Sequence, residues 1–246
     1  MAHIRCDFRS EALDMNTSMI VILPETKPLN TVKVVYLLHG LADNCSGWSR
    51  YTNVERYARM HDLALVIPEV QRSFYGDMAY GLKYFTFINE ELHEICQRFF
   101  GFSDKRENRY VMGLSMGGYG ALKCALTTPN AYAGCAAFSS VADLKSNLGE
   151  VSESRKAEFK AIFGTGNYPE ESDNFALLEE ADPSTLPSFY LACGEQDPLI
   201  VHSEKMTAAL QKKGAECLYE HWTGEHTWVV WDEAVRRAIE YFFREA

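Results

Sequence analysis

Arg109-Tyr-Val-Met-Gly-Leu-Ser115-Met-Gly-Gly-Tyr-Gly120 decides how this chain folds. The run 109–114 reads as a buried strand, and it passes without a break into Ser115 and a pair of glycines. Residues 119–126 then read as a helix, closed by Thr127-Thr-Pro129. A strand that enters a helix this abruptly makes a very tight turn. Side chains two positions either side of the serine would collide there, and Gly113 and Gly117 remove that collision while Gly118 widens the clearance. The turn lifts the Ser115 hydroxyl clear of the sheet. It also leaves the Met116 N–H at a helix N-terminus, where backbone donors and the helix dipole favour negative charge. The plainer alternative is that Ser115 only caps the helix.

A serine hydroxyl is a weak nucleophile at neutral pH and needs a base. Around an elbow of this kind the partners follow in the order serine, acid, histidine. The acid belongs just after a strand. Residues 189–193 form such a strand, and Gly194-Glu-Gln-Asp197-Pro198 is the loop beyond it. Asp197 is the candidate acid and Glu195 its rival; alternatively Asp197 merely opens the next helix ahead of Pro198. The histidine belongs on a late loop. Strand 216–222 is followed by Thr223-Gly-Glu-His226-Thr-Trp228, which selects His226. His221 falls inside the strand, His202 in a helix, and His3, His61 and His93 far from these loops. At the end of another apolar strand, 32–38, stands His39-Gly40-Leu41. A glycine there lets the backbone approach a substrate, so the Leu41 and Met116 N–H groups form a candidate oxyanion hole. His39 itself reads as structural or loop-orienting.

The rest of the chain alternates strands and helices. Segments 4–8 and 17–23 read as an antiparallel pair with turn chemistry at Asp14-Met-Asn16. Residues 48–60 and 85–100 have helical spacing, 63–67 and 132–138 are short apolar strands, and helices 202–213 and 228–243 flank the last strand. This order predicts one α/β domain over 1–246, with a mostly parallel central sheet and helices on both faces. Residues 143–186 are polar and irregular, with one helix at 154–163. The stretch is too long for an ordinary connection, so it is expected to be a small cap or lid insertion.

The length of 246 residues and a hydrophobic fraction of 47% suit one such domain. A formal charge of −10 argues against nucleic acid and anionic membrane as partners. Seven scattered cysteines without a CxxC pair suggest neither a disulfide framework nor a zinc site. No signal-like start or membrane-length apolar run is seen, and the expected setting is cytoplasmic.

With these residues in place the chain resembles the putative-esterase family of α/β hydrolases, on its bacterial tributyrin esterase and acetyl esterase branch. The matching segments are Val35-Tyr-Leu-Leu-His-Gly-Leu41, Trp48, Thr52-Asn-Val-Glu55, Gly113 to Gly120, Cys193-Gly-Glu-Gln-Asp197, Gly224-Glu-His226 and Trp228. The resemblance implies hydrolysis of short-chain acyl esters, in some members acetylated or feruloylated sugars. It places the triad on Ser115, Asp197 and His226 and the oxyanion donors on Leu41 and Met116. Thr227 departs from the acidic residue expected after the histidine in this branch, which concerns the pocket rim. Feruloyl and acetylxylan esterases, S-formylglutathione hydrolases and mycolyltransferases are further relatives.

Acyl transfer by such a triad requires no metal or organic cofactor. A small-molecule ester is the expected partner, and a homo-oligomer is left open. Trp48 and Trp228 are expected to bind substrate, and Phe74, Tyr75, Tyr80 and Tyr84 either join that rim or belong to the core. Three alternatives stay open: a thioesterase of the S-formylglutathione hydrolase type, kept alive by Cys45 near the oxyanion loop, an acyltransferase, and a non-catalytic binding module on this fold, which the intact order of serine, acid and histidine argues against.

Overall fold

The structure, a computed structural model, describes residues 1–147, 152–166 and 168–244. Eight strands make one sheet: β1 (Ala2–Ser10), β2 (Met15–Leu23), β3 (Val34–Leu38), β4 (Ala64–Pro68), β5 (Arg109–Leu114), β6 (Gly134–Phe138), β7 (Ser188–Gly194) and β8 (Cys217–Trp222). Their spatial order is β1-β2-β4-β3-β5-β6-β7-β8. The β1–β2 and β2–β4 pairs are antiparallel. All other neighbours are parallel, so the sheet is mostly parallel as expected.

The α-helices are α1 (Gly47–Tyr51), α2 (Val54–Met60), α3 (Tyr84–Thr86), α4 (Leu92–Phe100), α5 (Met116–Thr127), α6 (Leu144–Asn147), α7 (Glu153–Phe163), α8 (Asn174–Glu180), α9 (Ile200–Lys213) and α10 (Trp228–Phe243). Among the described residues no helix is long and apolar enough to cross a membrane.

Strand pleating explains why the central strands are apolar throughout. Side chains alternate between faces, and both faces of this sheet are covered. Val34, Tyr36 and Leu38 point into one core with α4, α5 and α9, where Leu92, Leu122 and Met206 meet them. Val35 and Leu37 point into the other, built from Trp48 of α1, Val54 and Ala58 of α2 and the apolar stripe of α10. The helix after the elbow, α5, is buried from Met116 to Leu126 because it lies against the middle of the sheet.

Four local expectations are corrected. The β1–β2 turn lies at 11–14 rather than 14–16, because Asp14 takes a left-handed φ of 48° and the Glu91 carboxylate accepts the Glu11 and Ala12 N–H groups. The helix expected over 48–60 is broken in two. Thr52 turns its hydroxyl back onto Trp48 O, and Asp232 of α10 takes the Asn53 N–H at 2.8 Å. The helix expected over 85–100 starts at Tyr84 and contains a π turn, Phe87–Glu91, between α3 and α4.

Finally, the described residues of segment 143–186 hold three α-helices rather than one. Beyond the expected α7 come α6 and α8, the latter opened by the Asp173 carboxylate accepting the Phe175 and Ala176 N–H groups. The segment grips the body of the fold: Asn174 donates to Tyr119 O at 3.3 Å, and Arg72 pairs with Glu158. Residues 148–151 and 167 of the expected cap lie outside the described residues.

Candidate active site

The elbow forms where the glycines permit it. A Cβ on Gly113 would lie 2.2 Å from Gly117 O, and one on Gly117 would lie 2.3 Å from Leu38 O. Both obstacles are backbone, so neither position accepts a side chain without moving the chain. Ser115 sits at φ 52°, ψ −115°, a strained conformation for a residue with a side chain. Its N–H donates to Phe138 O at 2.8 Å and its carbonyl accepts from Tyr119 at 3.1 Å, which hold the turn from both sides.

His226 and Asp197 meet Ser115 here. His226 Nε2 lies 3.1 Å from Ser115 Oγ, and His226 Nδ1 lies 2.8 Å from Asp197 Oδ2. The Asp197 side chain is fully buried, and its Oδ1 accepts the Leu199 N–H at 2.8 Å. Burial alone would raise its pKa. Hydrogen bonds from His226, Leu199 N–H and Ser139 outweigh that and hold the carboxyl below the ordinary carboxylate range. The rival Glu195 is half exposed and pairs instead with His221 at 3.2 Å and Thr223 at 3.3 Å.

The acid and histidine loops are fastened to each other. Gln196 N–H donates to Gly224 O at 2.9 Å, and the Gln196 side-chain oxygen accepts the Gly224 N–H at 2.7 Å. A Cβ on Gly194 would strike Gly224 O at 2.2 Å, so glycine there permits the close approach. Neither Gln196 nor Ser139 was singled out in the sequence. Their signal was only position, each at the carboxyl end of a strand beside the site.

Met116 is the first residue of α5, so its N–H has no carbonyl one turn back to bond. Gly40 borders the nucleophile: a Cβ there would stand 3.8 Å from Ser115 Cβ. Among the described residues nothing accepts the Leu41 N–H.

A cleft of about 680 Å³ opens over Ser115, lined by Gly40 to Asp43, Tyr51, Leu114, His226, Thr227, Trp228 and Trp231. Trp228 is thus at the cleft. Trp48 is not. It is fully buried, with its indole N–H donating to Leu38 O at 3.0 Å and its ring edge-on behind Trp228 at 5.4 Å. The exposed face of Trp228 is instead shared with Tyr51, at 5.1 Å and 33°. Trp231 stands edge-on to His226 at 4.8 Å. Phe74, Tyr75 and Tyr84 are core residues, and Tyr80 is exposed away from the lining. Cys45 is buried against Ser18, and burial raises its thiol pKa.

An elbow serine joined through histidine to a buried carboxylate, at the carboxyl ends of a mostly parallel sheet, defines a serine hydrolase of the α/β-hydrolase type. Comparison with known proteins agrees. The family described as "Putative esterase" matches residues 10–242, and the chain belongs to it. It is 30% identical over 260 residues to an acetyl esterase of Caldicellulosiruptor saccharolyticus, covering 98% of each chain.

Two solved structures from Staphylococcus aureus are similar to it. One is the fluorophosphonate-binding serine hydrolase FphF with substrate bound, 32% identical with a TM-score of 0.88 over 99% of each chain. The other is the S-formylglutathione hydrolase FrmB as apoenzyme, 31% identical with a TM-score of 0.86 over 99% of each chain. The chain is a serine esterase.

Proposed function

We propose that this esterase hydrolyses short-chain acyl esters, acetyl to butyryl, through an acyl-enzyme on Ser115. The observation that carries the reading is the continuous contact from Ser115 Oγ to His226 and on to the buried Asp197. His226 takes the Ser115 proton as the hydroxyl attacks the ester carbonyl. The Leu41 and Met116 N–H groups receive the developing oxyanion. His226 then protonates the leaving alcohol, and water repeats the sequence on the acyl-enzyme. Asp197 holds the imidazole in the required tautomer and faces its transient positive charge. The acetyl esterase relative and the aromatic wall of Tyr51, Trp228 and Trp231 support small acyl groups, and the same wall suits a sugar or phenolic leaving group.

The net charge of −10 supports a small neutral ester as partner rather than nucleic acid or anionic lipid. The single sheet, which carries both the first strand and the last, supports one domain. The seven free cysteines suit a cytoplasmic setting. Segment 143–186 leaves the sheet at the carboxyl end of β6, from which a cap could reach the cleft, and returns to the amino end of β7. The described lining comes from outside this segment.

A thioesterase reading rests on the likeness to the S-formylglutathione hydrolase. Cys45 lends it nothing, being buried and outside the cleft lining. Transfer to an alcohol uses the same steps, and product partition with an added acceptor measures it.

A p-nitrophenyl ester series run beside S-formylglutathione tests the substrate class. Each methylene buried in a fitting pocket is worth about 0.8 kcal/mol, so a long pocket would show kcat/KM rising with chain length. The expected optimum lies at butyryl or shorter. A maximum at octanoyl or longer, or a thioester preferred over every ester, would overturn the proposal.

A further inference from the structure

We infer that His39 is the positioning residue of the oxyanion hole, and that it acts by fixing one peptide unit. The inference rests on the proposed role of the Leu41 N–H. His39 is fully buried at the end of β3. Its Nδ1 lies 2.8 Å from Gly40 O, a carbonyl, which can only accept. Its Nε2 takes the Val70 N–H at 3.2 Å, and the Glu69 carboxylate lies 3.5 Å from the same nitrogen. A ring that accepts at Nε2 and donates at Nδ1 has one tautomer, with its hydrogen on Nδ1.

The carbonyl that His39 holds belongs to the peptide joining Gly40 to Leu41. Among the described residues no peptide is cis. In a planar trans peptide the C=O and the N–H point in opposite directions. Pulling Gly40 O toward the imidazole therefore turns the Leu41 N–H away from it, to the side of the cleft that Leu41 lines. A second bond to Gly40 O, from the Asp43 N–H at 3.2 Å, pulls the same way.

The preceding peptide is held as well. The Tyr75 hydroxyl, fully buried, donates to His39 O at 2.9 Å. The Tyr75 ring is in turn packed against Gly120 of α5, where a Cβ would come within 2.4 Å of it. The oxyanion loop is thus tied to the helix that carries the other donor, Met116. Two donors fixed in one frame need no rearrangement as charge develops, which is what makes such a site effective.

Two substitutions of similar size separate this role from simple packing. An asparagine amide can place a donor where Nδ1 stood, whereas a glutamine amide reaches the Nε2 position and leaves Gly40 O with only the Asp43 N–H. With p-nitrophenyl acetate, His39→Gln is expected to lower kcat by about tenfold to a hundredfold at nearly constant KM, part of the effect of losing one oxyanion donor. His39→Asn is expected to restore most of that loss. A trifluoromethyl ketone, which forms the tetrahedral oxyanion on the serine, should bind His39→Gln more weakly by a similar factor, while binding of the product alcohol is unchanged.

Tyr75→Phe supplies a second variant should His39→Gln fail to fold. It should lower kcat and ketone affinity together by a few-fold, a smaller share of the same donor effect. A folded His39→Gln with kcat and ketone affinity within about twofold of the parent would overturn the inference, as would equal losses in the two His39 variants. In the absence of folded His39→Gln, an unchanged Tyr75→Phe overturns it. Fluorophosphonate labelling of Ser115 in the parent is run alongside. Failure of that labelling would remove the reading on which the inference rests, whatever His39 does.

Discussion

Asp197 and Glu195 are two residues apart, and the structure gives them opposite surroundings. Asp197 is buried, receives three hydrogen bonds and faces the imidazole; Glu195 faces solvent and His221. Asp197→Asn is therefore expected to leave the fold intact and to cut kcat by about 10³–10⁴-fold, because the imidazole is left in the wrong tautomer. Glu195→Gln should change kcat by less than about twofold, since surface pairs of this kind contribute little. Steady-state kinetics of the two variants checks this, and a crippled Glu195→Gln beside a mild Asp197→Asn would reverse the assignment.

The three chemical residues were legible because each must follow a strand, and strand ends are visible as apolar runs stopped by glycine. Trp48 and Trp228 were not separable in this way. Both stand at helix starts near the site, and only the bond from Trp48 to Leu38 O and the overlying Trp228 ring show which one is hidden. Tyr51 carries no sequence signal for the same reason: its partner at the cleft is 177 positions away in sequence, and nothing local announces the contact.

At the scale of elements, the elbow is the most constrained feature. Gly117→Ala would drive a Cβ to 2.3 Å from Leu38 O and 2.7 Å from His39 O, both backbone atoms. The expected loss is at least about 1–3 kcal/mol, the usual cost of forcing extra atoms into a packed site. Gly118→Ala meets the Ser140 side chain at 2.9 Å and should be milder. Urea midpoints of the two variants decide the order, and a Gly117→Ala as stable as the parent would show that the turn is looser than its geometry.

Element identity was largely readable because period-two and period-3.6 patterns differ. Element ends were not, wherever a distant side chain sets them. Asp232 of α10 secures the break between α1 and α2, and Glu91 shapes the β1–β2 turn from another layer of the fold. The helix α8 carried a readable signal in Asp173 before Asn-Phe-Ala-Leu-Leu178, masked by the polar composition around it.

For the whole molecule, folding is coupled to pH through a histidine buried on one side of the sheet. His93 of α4 stands edge-on to Tyr36 of β3 at 4.3 Å and meets the Tyr132 hydroxyl at 2.8 Å. Burial, with a smaller push from Arg109, lowers its pKa from 6.5 to about 3. The folded value lies below the unfolded one, so the unfolded chain binds the extra proton between them. Stability from this group is complete above pH 6.5 and is lost as pH falls toward 3, at about 1.4 kcal/mol per pH unit. Urea unfolding at pH 7 and pH 5 should therefore differ by about 2 kcal/mol more in the parent than in a His93→Phe variant. Equal pH dependence in the two would remove His93 from the account.

The central claim, that Ser115 activated by His226 is the nucleophile, is tested most directly by a fluorophosphonate probe and mass mapping of the adduct. The predicted result is one adduct per chain, on Ser115, absent from Ser115→Ala and formed far more slowly in His226→Ala. An adduct that persists in folded Ser115→Ala, or that maps to another serine in the parent, would contradict it.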